Sequence, residues 1–250
     1  MAPTAEKATS EPQENAGWVR VRRSKVAKKR SPKKPRRRPC DPPTISLDDV
    51  KRDYDHYVGV WKASSAYARL RELLSSHAAC ATVTKAICFG LGSFDPEDNV
   101  FALKRNSHTQ LAAFLTIVEH LQSKTNTRIR CIFQDPVFNA VDKAFLTGLG
   151  HEVVQSPAGF KLVDANTLTF GIHTYRDVCT SIVATHLPAI YIGTSYETWE
   201  GNPNSDEETM KSMARLKEMK DLSICVRFPD YESEYIFEPT AIHWRQRDRM

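Results

Sequence analysis

From Leu47 onward apolar residues recur at spacings of three and four. Leu47, Val50, Tyr54, Tyr57, Val58 and Trp61 share one face of a helix. Ser46-Leu47-Asp48-Asp49 sets a hydroxyl at its start and an acid three residues on, a relative of the capping box. A second short helix is predicted from about Ser65 to Ala79, with Tyr67, Leu70, Leu73 and Leu74 inward. The two helices read as a cover for a sheet.

From Ala81 short apolar runs alternate with helical stripes. Ala86-Ile87-Cys88-Phe89-Gly90, Arg130 to Phe133, Glu152 to Gln155, Thr167 to Gly171 and Ala189 to Gly193 are predicted strands. Ser107-His108-Thr109-Gln110 has the form of a capping box and is expected to start the helix carrying Leu111, Phe114, Leu115, Val118 and Leu121. A helix is expected from Asn139 to Leu149, closed by Gly150, and another from Tyr175 to Leu187, stopping before Pro188. Three acids (Asp206, Glu207, Glu208) open a further helix that buries Met210, Met213, Leu216 and Met219. Ile224 to Phe228 and Ala241 to Trp244 end the pattern; their connection is too short for a helical crossover, so they should pair antiparallel. Strand, helix and strand repeated in this way predict an α/β fold: a Rossmann-like, mostly parallel sheet with helices on both faces and a terminal antiparallel strand.

Charge sets the first 43 residues apart. The whole chain has 35 Lys+Arg and 30 Asp+Glu, but residues 1–43 hold 13 basic residues against four acids. Arg20 to Arg38 contains twelve basic residues and no acid. With few large apolar residues, 1–43 reads as a disordered basic tail. Residues 44–80 then form the helical cover and 81–250 the Rossmann-like domain. Lys28, Lys29, Arg30, Lys33, Lys34, Arg36, Arg37 and Arg38 are the candidate nuclear-import residues, and weak nucleic-acid contact is the other use of such a run. The six cysteines form no C-x-x-C pair, and Cys88, Cys131 and Cys225 lie in apolar runs as small core residues. A reducing compartment is implied, cytoplasm and nucleus, with no metal site, no membrane span and no signal peptide.

Candidate chemistry gathers where the strands end, because open α/β sheets bind ligands beyond their carboxyl ends. Gly90, Gly92 and Ser93 follow the first strand, Asp135 closes the second, His173 follows the fourth, and Gly193 and Ser195 follow the fifth. Together they define a candidate small-ligand crevice. Asp135 is read equally as a ribose ligand and as a helix cap. Gly90-Leu91-Gly92 lacks the third glycine of the dinucleotide fingerprint, and there is no P-loop, G-x-S-x-G or H-E-x-x-H. No catalytic residue is assigned and no cofactor is identified.

Five of these segments resemble the Sensitivity to Red Light Reduced family. They are Ile87 to Phe94 with Gln110-Leu111-Ala112, Asp135-Pro136-Val137-Phe138 with Leu149-Gly150, Thr167 to His173, Ile192 to Tyr196, and Phe237 to Trp244. Trp18 before the basic run is similar to the family's start. Ile172 and Thr174 stand where the family has Pro and Cys around its histidine, Thr194 where it has Asn, and Glu238-Pro239 where it has Asn-Asp. The resemblance implies a non-catalytic regulatory protein with protein partners. Its members are linked to circadian-clock regulation, regulation of haem biosynthesis and microtubule-related processes. The alternative is a transferase using S-adenosylmethionine or a nucleotide, suggested by a seven-stranded sheet with a terminal antiparallel strand.

Overall fold

The computed structural model describes residues 45–77, 82–96, 100–200, 211, 213–231 and 235–246. The basic run with its candidate import residues, Trp18, and the acids Asp206 to Glu208 with Met210 lie outside the described residues.

The chain opens with α1 (Leu47–Ala63) and α2 (Ser65–His77). Ser46 caps α1 reciprocally: its hydroxyl accepts from Asp49 N while the Asp49 carboxylate takes the Ser46 amide. There follow β1 (Lys85–Phe89), α3 (Phe101–Thr125), β2 (Arg130–Gln134), α4 (Ala140–Gly148), β3 (Glu152–Val153), a 3-10 turn (Ala158–Leu162), β4 (Thr167–Gly171) and α5 (Arg176–Val183). Then come β5 (Ile190–Thr194), the short α6 (Glu197–Glu200), α7 (Ala214–Asp221), β6 (Ser223–Arg227) and β7 (Thr240–Arg245).

The strands form one seven-stranded sheet in the order β3-β2-β1-β4-β5-β7-β6. Pairing is parallel from β3 to β5, whereas β7 runs antiparallel to both β5 and β6. The expected mixed α/β class, with its reversed last strand, is therefore the observed one. Alternation along each strand separates two cores. Ala86, Cys88, Cys131, Phe133, Leu168, Phe170, Ile190 and Ile192 face α1 to α4, with Trp61, Leu70 and Leu111 in the same cluster. Ile87, Phe89, Ile132 and Tyr191 face the other way, onto Cys179, Ile182, Leu216 and Met219 of α5 and α7.

Three local expectations are corrected. Ser107 does not cap α3, which begins two turns earlier at Phe101; the Ser107 hydroxyl instead donates to Leu103 O, an interior bond that a helical serine makes with the preceding turn. The helix after β4 stops at Val183, before Leu187 is reached. Cys225 is exposed rather than core, because β6 is the sheet edge. Among the described residues no helix is long and apolar enough to cross a membrane.

Candidate functional site

Strand order reverses between β1 and β4, so the loops after these two strands leave in opposite directions and open a cleft at the carboxyl end of the sheet. The β1 loop is shaped by glycines. Gly90 and Gly92 have φ of +67° and +82°, and a Cβ on Gly92 would stand 2.8 Å from the Ser107 hydroxyl oxygen. Gly92→Ala is expected to lose roughly 1–2 kcal/mol or more from the left-handed backbone alone. Chemical denaturation should show Ser107→Ala returning the part due to the clash.

Two carboxylates hold this loop. Asp135, just past β2, accepts from Gly92 N at 2.8 Å and from Val137 N at 2.9 Å. Asp142, wholly buried in the first turn of α4, accepts from Phe94 N and Asn139 N, each at 2.9 Å. Burial raises the Asp142 carboxyl above its ordinary value of 3.8, against the pull of those amides. Of the two roles read for Asp135, the cap of the next helix is filled by Asn139, whose side chain accepts from Val141 N and Asp142 N.

His173 follows β4 with φ +54°, a left-handed conformation uncommon for a residue with a side chain. Its Nε2 lies 2.9 Å from Ile236 O and donates to that carbonyl, tying the β4 loop to the segment before β7. Gln110 of α3 donates its amide to the same carbonyl at 3.3 Å.

Gly90, Gly92 and His173 border two adjoining cavities, of about 480 and 740 Å³, which also share Pro136 and Val137. Asp135 lines the first and Ser93 the second. The other two candidates stand apart. Gly193 lies within β5, where a Cβ would stand 2.8 Å from the Tyr191 hydroxyl, so its role is to make room inside the sheet. Ser195 hydrogen-bonds Glu197 and lines a separate cavity of about 520 Å³ with Cys225 and Tyr235. The single crevice expected from all these loops is thus divided, because β4 stands between β5 and the strand across the switch point, β1.

Sequence reasoning missed Gln134, Asp142, Asn106 and Gln110. Asp142 was within reach, since Asn139-x-x-Asp142 has the spacing of a capping box. Among the described residues no group of three or more His, Cys, Asp or Glu is placed to hold a metal ion.

The class is a doubly wound α/β protein with a ligand-sized cleft at its switch point. The family model for the SRR1 domain matches residues 70–244, and the chain belongs to that family. The match begins within α2, so the likeness at Trp18 lies outside it. Comparison with curated proteins and with solved structures gives no match.

Proposed function

We propose that this SRR1-domain protein is a regulator that acts by binding a small ligand in the cleft and does not turn it over. One observation carries the reading: the groups best suited to acid–base work are engaged by backbone. Both Asp135 oxygens accept amides, and His173 Nε2 bonds the Ile236 carbonyl. An acid or base needs a substrate proton within hydrogen-bond reach and a partner that orients it. Here the same bonds fix loops. The family resemblance, which attaches regulation and no reaction, agrees with this reading. The basic segment Arg20 to Arg38 is proposed to direct part of the protein to the nucleus, and a cytosolic reporter fused to residues 1–43 should then accumulate there.

The rival reading is a transferase using S-adenosylmethionine or a nucleotide, and the two separate in one experiment. Fractionated small-molecule extract is screened by thermal shift against the full chain and a cleft-blocked variant, Val137→Trp. Val137 is 59% exposed, so a larger side chain there fills the cleft without disturbing the core. A ligand present at about 100 times its Kd adds roughly 2.7 kcal/mol of stability, readily seen as a higher midpoint. A fraction that shifts the unmodified chain but not Val137→Trp, and is recovered unchanged, is the expected result. Recovery of a converted product, lost in Asp135→Asn, would replace regulation with catalysis.

A further inference from the structure

Gln134 is the last residue of β2 and is 4% exposed. Its Oε1 accepts from Gly159 N at 2.6 Å, on the 3-10 turn between β3 and β4. That bond settles the orientation of the carboxamide, because an amide N–H can face only the oxygen. The NH2 end therefore points away from the turn. Among the described residues it has no hydrogen-bond partner, and Gln134 lines the smaller cavity. That nitrogen faces the cavity, where a ligand acceptor can take the place of water.

The surroundings of this donor restrict the ligand. Phe89 and Phe160 stack with ring centroids 5.0 Å apart and planes 8° from parallel, and both line the cavity, with Val137 and Val178 completing the apolar lining. The charged residues on the lining are carboxylates, Asp135 and Asp177; among the described residues no Lys or Arg lines either compartment. The larger compartment adds neutral acceptors: Asn106 Oδ1 is buried without a partner, and the Gln110 amide nitrogen is occupied by Ile236 O, leaving its oxygen unbonded. The cleft thus offers an apolar wall at the Phe89–Phe160 stack, the Gln134 amide as a fixed donor, the Ser156 and Tyr175 hydroxyls, and the two carboxylates. A phosphate would meet two like charges with no cation among the described lining residues to balance them, the reverse of a phosphate site.

Resting on the reading of the cleft as a ligand site, we infer that its ligand is a nucleoside without phosphates. The heterocycle would lie against the half-buried Phe160 with a ring acceptor on the Gln134 amide. Its ribose hydroxyls, as donors, would meet the Asp135 and Asp177 carboxylates, since each Asp135 oxygen retains a second lone-pair direction beyond the amide it already accepts. A 5′ extension bearing N–H groups suits Asn106 and Gln110.

Titration calorimetry of the full chain with adenosine, S-adenosylhomocysteine, AMP and ATP tests this. Adenosine or S-adenosylhomocysteine should bind, with AMP and ATP at least about tenfold weaker, the equivalent of roughly 1.4 kcal/mol. Gln134→Glu keeps the acceptor for Gly159 N and replaces the NH2 donor by a carboxylate oxygen, so it should weaken the nucleoside by about tenfold. Should that variant fold poorly, Val137→Trp supplies the same control from the exposed side of the cleft. Nucleotides binding as tightly as nucleosides, or nucleoside affinity untouched by both variants, would overturn the inference. If no nucleoside binds but an extract fraction still shifts the chain and not Val137→Trp, the ligand class falls and the cleft reading stands. If neither occurs, both fall.

Discussion

Replacing Trp61 by alanine is expected to remove about 3–5 kcal/mol of folding stability, the usual cost of emptying a buried tryptophan site. Trp61 sits on α1 with no exposed surface, and its indole N–H donates to Thr116 Oγ1 at 3.0 Å. Tyr231 and Phe237, from the segment between β6 and β7, stand 5.9 and 5.7 Å from it, ring centroid to centroid. One side chain therefore joins α1, α3 and the β6–β7 connection. Against a typical total of about 5–15 kcal/mol, such a loss leaves a marginal protein. Trp61→Phe should lose far less, since Thr116 keeps its own bond to Ala112 O at 2.8 Å. Urea unfolding of the two variants gives the comparison, and a cost under about 1 kcal/mol for alanine would show that α1 merely lies on the surface. The same packing predicts that a fragment starting at residue 70, where the family match begins, exposes the core and aggregates.

The fold was legible where its signal is local. The parallel strands β1, β2, β4 and β5 are short apolar runs, whereas β3 shrinks from the expected Glu152 to Gln155 to Glu152–Val153; Ser46, Asn139 and Gly150 mark helix ends through their own chemistry. The start of α3 was hidden because Phe101 and Leu103 are 68% and 53% exposed, so no buried stripe announces the first two turns. Ser107 then imitates a cap that the chain does not use there. Cys225 misled for a related reason: an apolar run does not reveal whether its strand lies inside the sheet or at the edge.

The cleft was half legible on the same grounds. Gly90, Gly92, Asp135 and His173 could be placed at strand ends one by one. Which strand ends meet depends on strand order, which no local pattern encodes, and that is why Ser195 was grouped with them. Gln134 escaped notice because the predicted strand ends at Phe133, so it reads as part of the stop before Pro136. Its amide becomes a fixed donor only when the 3-10 turn brings Gly159 against it, a contact 25 residues distant in sequence.

Acid is expected to unfold this protein well above the pH at which carboxylates titrate, and two buried histidines are the reason. His108 is enclosed by aromatic rings, stacked on Tyr57 with centroids 5.3 Å apart and 4.9 Å from Phe94, and neither ring nitrogen has a hydrogen-bond partner. His243 on β7 is 2% exposed, stands 5.5 Å from the Tyr191 ring, and has Nδ1 unpartnered. Burial pushes both down from 6.5 to about 4, in spite of Asp53 near the first and Glu197 near the second. Between those two values the unfolded chain binds protons that the folded chain does not, so stability falls as pH falls. From about pH 7.5 to about pH 5 each histidine should remove roughly 2 kcal/mol, about 4 kcal/mol for the pair. His120 and His151, also lowered by burial, add to the loss, and the raised Asp142 carboxyl opposes it. His108→Phe keeps a ring in the aromatic cage and discards the two unpaired nitrogens, so it should flatten the profile by about 2 kcal/mol and leave the variant more stable at pH 5. Urea midpoints measured at both pH values for the unmodified chain, His108→Phe and His243→Phe decide the matter. An acid loss of the same size in all three would place the titrating groups elsewhere.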